Sequence, residues 1–132
     1  ESIEEFDPNF DMILKYFNHE AIFTQIVQVS SAKDFTKITP HKQNPIKSNM
    51  YGGRSAGSVI KYKTRYIRPA QINKKGIYGF GLVFFEIKKL DLNLYIEKKI
   101  TAILPKHFKN CKGVHHFSYL KGKVLIDLNL TE

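Results

Sequence analysis

Gly76-Ile77-Tyr78-Gly79-Phe80-Gly81-Leu82-Val83-Phe84-Phe85-Glu86-Ile87 is the stretch that decides the fold class. Only glycines and one late acid interrupt its apolar character. Such a run is what a strand buried on both faces at the centre of a sheet looks like. Strand alternation puts Tyr78, Phe80 and Phe84 on one face and Gly79 and Gly81 on the other. Rings in that position belong to a core, because aromatics dominate core burial. The glycines mark a bulge or the close approach of another element.

Downstream the strand signals continue. Residues 90–97 alternate, with Leu90, Leu92, Leu94 and Ile96 inward, and Ile100, Ala102 and Leu104 carry the phase as far as Pro105. Residues 114–120 and 123–130 flank Lys121-Gly122 as a hairpin, with Val124, Ile126, Leu128 and Leu130 inward. Upstream, residues 59–68 alternate as well: Ile60, Tyr62 and Tyr66 face one way, and Lys61, Lys63 and Arg65 the other.

The N-terminal part reads differently. Asp7-Pro8 is a helix-start signal, and Phe10, Ile13, Leu14 and Phe17 follow at helical spacing, which predicts an amphipathic helix near 8–20. Residues 21–29 fit either a strand or a continued helix, and their β-branched content favours a strand. Between Ser30 and Ser58 the periodicity stops. A loop of this length is functional or disordered, and with His41, Lys42, Lys47 and Arg54 it forms either a mobile cationic arm or a tolerated surface insertion.

The expected fold class is therefore α+β, an N-terminal helix packed on a mostly antiparallel sheet of about five long strands. At 132 residues one domain is expected, spanning 1–132. Its parts are an acidic helical segment with a first strand (1–29), a long basic loop (30–58) and antiparallel strands (59–130). Because the chain opens on Glu1 rather than Met, it reads as a piece excised from a longer protein.

The net charge of +9 is unevenly spread. Acids outnumber bases in residues 1–34, whereas residues 35–85 contain ten Lys or Arg and no Asp or Glu. A stretch of that kind is either a solubilising surface or a face built for a polyanion. Lys61, Lys63 and Arg65 would form a cationic row with a repeat of about 6.8 Å along one strand face. That is close to the phosphate repeat of an extended nucleic-acid strand. Tyr51, Arg54, Arg68, Lys74 and Lys75 lie near this row in sequence. Cations for the backbone and rings for the bases are what a single-strand binder uses. The expected nucleic-acid contacts are thus Tyr51, Arg54, Lys61, Lys63, Arg65, Arg68, Lys74 and Lys75.

Residues Tyr78–Phe85 bear a short resemblance to the central-strand signature of RNA-recognition motifs, in which exposed strand aromatics stack on bases. Tyr78 stands where that signature has Lys or Arg, and Leu82 replaces an aromatic. The segment that follows alternates like a strand where that fold requires a helix. Gly76-Ile77-Tyr78 likewise resembles the opening of the GIY-YIG nuclease motif, but the only downstream partner, Tyr95-Ile96-Glu97, is distant and lacks the glycine. Neither family is assigned.

His107, Cys111 and His115 recur every fourth residue, but KHFKNCKGVHH reads as a loop whose lysines repel a cation, so no metal is expected. In alternating register, His115 and His116 point to opposite faces. No carboxylate pair or nucleophile–base constellation stands out, so neither catalytic residues nor a cofactor are expected. The leading expectation is a non-enzymatic nucleic-acid-binding domain within a larger assembly, more suited to single strands or backbone contacts than to a groove. The alternative is a protein–protein assembly module, by self-association or with a partner, and a weaker one is a small metal-independent RNase. That last reading requires a cleft gathering a histidine with Arg and Tyr. One cysteine and no apolar run of membrane-spanning length lead to the expectation of an intracellular protein without a membrane partner.

Overall fold

A computed structural model describes residues 17–21, 24–30, 38–49, 51–74 and 77–131. The strands in chain order are β1 (Phe17–Ala21), β2 (Thr24–Ser30), β3 (Ile38–Pro40), β4 (Lys47–Ser48), β5 (Tyr51–Ser55) and β6 (Ile60–Tyr62). They continue with β7 (Arg65–Lys74), β8 (Ile77–Leu90), β9 (Tyr95–Ile103), β10 (Cys111–Leu120) and β11 (Lys123–Leu130). Among the described residues the one helical element is a 3₁₀ turn at Pro105–His107.

This overturns the α+β expectation: the described residues are nearly all antiparallel sheet, and among them no helix packs on it. The helix expected near 8–20 lies outside the described residues up to 16, and its last residues are strand. β1 pairs with β2, Phe17 opposite Val27 and Asn18 opposite Ile26. The physical reason is the partner. Thr24, Ile26, Val27 and Val29 make residues 24–30 a strong strand, and a hairpin to it satisfies the backbone of 17–21 more cheaply than a lone helical turn.

β8 is the central strand that its apolar run announces. It runs antiparallel between β7 and β9 in a sheet ordered β5-β7-β8-β9, with β6 also on β7. Its two faces enter different cores. Leu82 and Phe84 pack with Ala56 and Val114 beneath the β10–β11 hairpin, whereas Val83 and Phe85 pack with Ala70 and Ile72 on the opposite face. The ring of Phe84 meets that of Phe117 edge-on, with centroids 5.0 Å apart. Phe80 departs from the expected face. Gly79 takes φ +69° inside an irregular stretch where β7 and β8 shift register, and Phe80 joins the Ile72 and Leu104 side.

Two further alternations break where turns intervene. Residues 59–68 are not one strand but a tight hairpin, with Lys61 opposite Tyr66, Tyr62 opposite Arg65, and Lys63-Thr64 at the turn. Asp91–Leu94 is also a turn, because Asp91 Oδ1 accepts the N–H groups of Asn93 and Leu94, each at 2.8 Å. The turn resets the phase, so Tyr95 is buried while Leu92, Ile96 and Ile100 are exposed. In the last hairpin Ile126 and Leu128 pack inward as expected, but Val124 and Leu130 are exposed. The span expected as a loop, 30–58, contains β3, β4 and β5, and His41 within it is buried against the Asp91 carbonyl (Nε2 to O, 2.8 Å).

The hairpin is tied to the central sheet through Ala56. The Ala56 N–H donates to the Pro69 carbonyl and the Phe117 N–H donates to the Ala56 carbonyl, at 3.1 and 2.9 Å. Close approach depends on Gly57, where a Cβ would stand 2.2 Å from the Phe117 oxygen, and on Gly113, where one would stand 2.8 Å from the Gly79 oxygen. These contacts bring β10 against β5 and β8 and create the cleft described next.

Candidate nucleic-acid interface and a histidine–tyrosine cleft

Among the described residues, two concavities flank the sheet at the end where β7 and β8 meet. The first is a basin of about 450 Å³ lined by Tyr51, Ile72, Lys74, Phe80, Lys99 and Leu104, with Lys106 at its rim. Its floor is apolar and its lining has no acid. Lys74 Nζ lies 4.0 Å from the Phe80 ring centroid and Lys99 Nζ lies 5.1 Å from that of Tyr51. Each of the two rings is therefore paired with an ammonium.

The second is an open cleft of about 410 Å³ between β5, β7, β8 and β10. Arg54 lies with its guanidinium carbon 5.3 Å from the centroid of the Tyr78 ring. The Tyr78 hydroxyl is 3.1 Å from His115 Nε2, and His115 Nδ1 is 3.4 Å from an Asp127 carboxylate oxygen. His116 lines the same cleft, and so does Gln71, which is buried with its Oε1 lacking a hydrogen-bond partner among the described residues.

The two histidines share a cleft because β10 bulges. Val114 pairs with Leu128 and His116 with Asp127, so His115 is an extra residue opposite no partner. A bulge adds one residue and re-aims a side chain. Their expected separation to opposite faces is corrected accordingly.

The residues expected to contact nucleic acid are scattered. Tyr51 and Lys74 meet in the basin, and Arg54 lies in the cleft. Lys61 and Lys63 are exposed at the β6–β7 turn, against the Tyr66 and Tyr62 rings respectively, and form no row with Arg65. Arg65 is bonded to Glu86 at 2.8 Å. That guanidinium, through its hydrogen bond above all, holds the Glu86 carboxyl below the ordinary range. Lys75 lies outside the described residues.

Arg68 is enclosed, at 1% exposure, and so is closed to an outside phosphate. Its Nε and Nη2 each donate to a Glu97 oxygen at 2.9 Å, and the Tyr95 hydroxyl donates to the same carboxylate at 2.5 Å. Burial works against the Arg68 charge, yet its bonds to Glu97 and the neighbouring Tyr95 raise its pKa overall. Burial also pushes the Tyr95 phenol well above its ordinary value, with the Glu97 charge adding to the rise.

Lys99, Lys106 and Phe80 in the basin, Tyr78, His115, His116 and Gln71 in the cleft, and Asp127 beside His115 are not marked as site residues by sequence pattern. The available signals were the Tyr78-Gly79 pair and the doublet His115-His116, which only the bulge brings together. Among the described residues no cluster of three His, Cys, Asp or Glu could hold a metal ion, and no helix is long and apolar enough to cross a membrane. Cys111 Sγ lies 3.1 Å from the Gly113 carbonyl, inside β10. The chain matches no protein-family model, no curated protein and no solved structure.

Proposed function

We propose that this chain is a nucleic-acid-binding domain that holds a single strand across the basin of Tyr51, Phe80, Lys74, Lys99 and Lys106. The observation that carries this reading is the pairing of two rings with two ammonium groups over an apolar, acid-free floor. Stacking on the rings accepts any base, and the lysines neutralise the backbone beside it. The arrangement replaces the straight Lys61–Lys63–Arg65 row with a concave surface. It needs no recognition helix.

The test is fluorescence anisotropy with short single- and double-stranded DNA and RNA at low and physiological salt. Binding to single strands that weakens with salt, and that falls in a Lys74→Ala/Lys99→Ala/Lys106→Ala variant, supports the reading. No binding near physiological salt by a folded wild-type chain overturns it. A second reading, an assembly module, has its own observation: Leu120, Val124, Leu125 and Leu130 are all at least half exposed on the β10–β11 hairpin. Concentration-dependent self-association in sedimentation velocity, abolished by Leu125→Lys, would favour it.

A further inference from the structure

The cleft carries more chemistry than strand binding requires. A nucleophile needs a base within hydrogen-bond reach and a third group that orients the base. Tyr78, His115 and Asp127 are arranged in that order. The phenol lies 3.1 Å from Nε2, and Nδ1 lies 3.4 Å from the carboxylate. Asp127 on the Nδ1 side favours the tautomer with the proton there, which leaves Nε2 free to take the phenolic proton. Arg54, its guanidinium carbon 5.3 Å from the centroid of the Tyr78 ring, brings a fixed positive charge into the same cleft, where it can offset charge that develops on a phosphoryl group. Among the described residues Tyr78 and Asp127 contact His115, and Arg54 and His116 line the same cleft. Gln71 lines the same cleft and is buried, with an Oε1 that has no hydrogen-bond partner among the described residues.

We propose that Tyr78 is a nucleophile that takes a phosphodiester from a nucleic-acid strand, an inference that rests on the nucleic-acid reading for its substrate. The Tyr78 oxygen bonds to phosphorus, and its proton passes to His115 Nε2. The bond from phosphorus to one bridging nucleoside oxygen breaks. That oxygen leaves as a hydroxyl, carrying the proton returned by the imidazolium. The products are a phosphotyrosyl chain and a strand with a new hydroxyl end. Nothing is oxidised or reduced, and attack by that hydroxyl reverses the step. The 2′-hydroxyl takes no part, so DNA serves as well as RNA.

Two substrates test this apart from strand binding. The first is a dye-labelled single-stranded DNA, with SDS-stable adduct as the readout. The second is bis(p-nitrophenyl) phosphate, which needs no strand affinity and reports a burst of p-nitrophenolate. The expected result is an adduct that mass spectrometry places on Tyr78, and a burst approaching one equivalent per chain. Tyr78→Phe, which keeps the ring under Arg54, abolishes both. His115→Gln slows both by about 100-fold or more. Strand binding without adduct or burst overturns the nucleophile and leaves the binding reading intact. A burst on Tyr78 without strand binding overturns the binding reading and moves the substrate to smaller phosphodiesters. Cleavage of RNA alone, with no adduct, also overturns the proposal, because a 2′-hydroxyl would then be the attacking group.

Discussion

Arg68 and Glu97 form a two-bonded ion pair in the interior, with Nε and Nη2 of the guanidinium each 2.9 Å from a carboxylate oxygen. The Arg68 guanidinium also lies 4.9 Å from the centroid of the Phe85 ring, and Lys47 reaches within 3.9 Å of the same carboxylate. Removing one partner strands a charge that water cannot reach. Glu97→Gln should therefore cost about 3–5 kcal/mol in urea unfolding. Arg68→Met with Glu97→Leu should recover most of that loss, since two apolar groups leave no charge unpaired. A Glu97→Gln variant as stable as wild type would mean that the pair is not enclosed.

The Asp91 turn makes a pH-dependent contribution. Its carboxylate is held below the ordinary range chiefly by the Asn93 N–H, with Leu94 N–H adding to the effect. A depressed carboxyl stabilises the fold above its unfolded pKa, about 3.9, and that stability is lost as pH falls through the lower folded value. Asp91→Ala should destabilise by about 1 kcal/mol at neutral pH, measured by thermal or urea unfolding. The gap between wild type and variant should close in acid. A gap constant from pH 7 to pH 2 would contradict the turn geometry.

What the sequence made legible was the sheet's interior. The near-continuous apolar run from residue 77 to 87 lies in β8, and Lys121-Gly122 is the turn of the last hairpin, where both residues take positive φ. What it hid were changes of phase. Lys63 turns the chain at φ +54°, Asp91 resets the register before β9, and His115 bulges out of β10. Alternation assumes one uninterrupted pleat, and a single added residue moves every later side chain to the other face. The Arg68 assignment failed for another reason. A basic stretch without acids reads as an outward face, yet its counter-charge lies 29 residues downstream at Glu97, across the sheet. Similarly, the cleft joins residues from four strands, and sequence spacing does not describe such a site.

In the basin, stacking and charge should separate under mutation. Tyr51→Ala should weaken single-strand binding by about 1–3 kcal/mol with little change in salt dependence, because it removes a ring and no cation. Lys99→Ala should lower the slope of log affinity against log salt by about 0.7. Lys61→Ala with Lys63→Ala, at the distant β6–β7 turn, should leave the slope nearly unchanged. If the Lys61 and Lys63 variant instead carried the larger loss, the strand would be bound along the β6–β7 hairpin and not in the basin.

Gly57 tests whether the cleft depends on the seam between β5 and β10. Its φ of +144° is a conformation that L side chains rarely adopt, and a Cβ there would stand 2.2 Å from the Phe117 carbonyl oxygen. The contact is to backbone, so no side-chain rotation relieves it. To make room, β10 must move away from Ala56, which breaks the Phe117 N–H bond to the Ala56 carbonyl and loosens the Phe84–Phe117 ring contact. Gly57→Ala should cost about 2 kcal/mol or more, the backbone strain adding to the lost hydrogen bond. His115 moves with β10, so the Tyr78–His115 contact should open as well. A shift in the His115 imidazole resonances by NMR would report it in the folded variant. Gly122→Ala provides the comparison: its φ is also positive, but no atom lies within 4 Å of the added carbon. It should show the strain cost alone, with the His115 resonances in place. Equal effects at both positions would mean that the seam at Gly57 does not hold the cleft together.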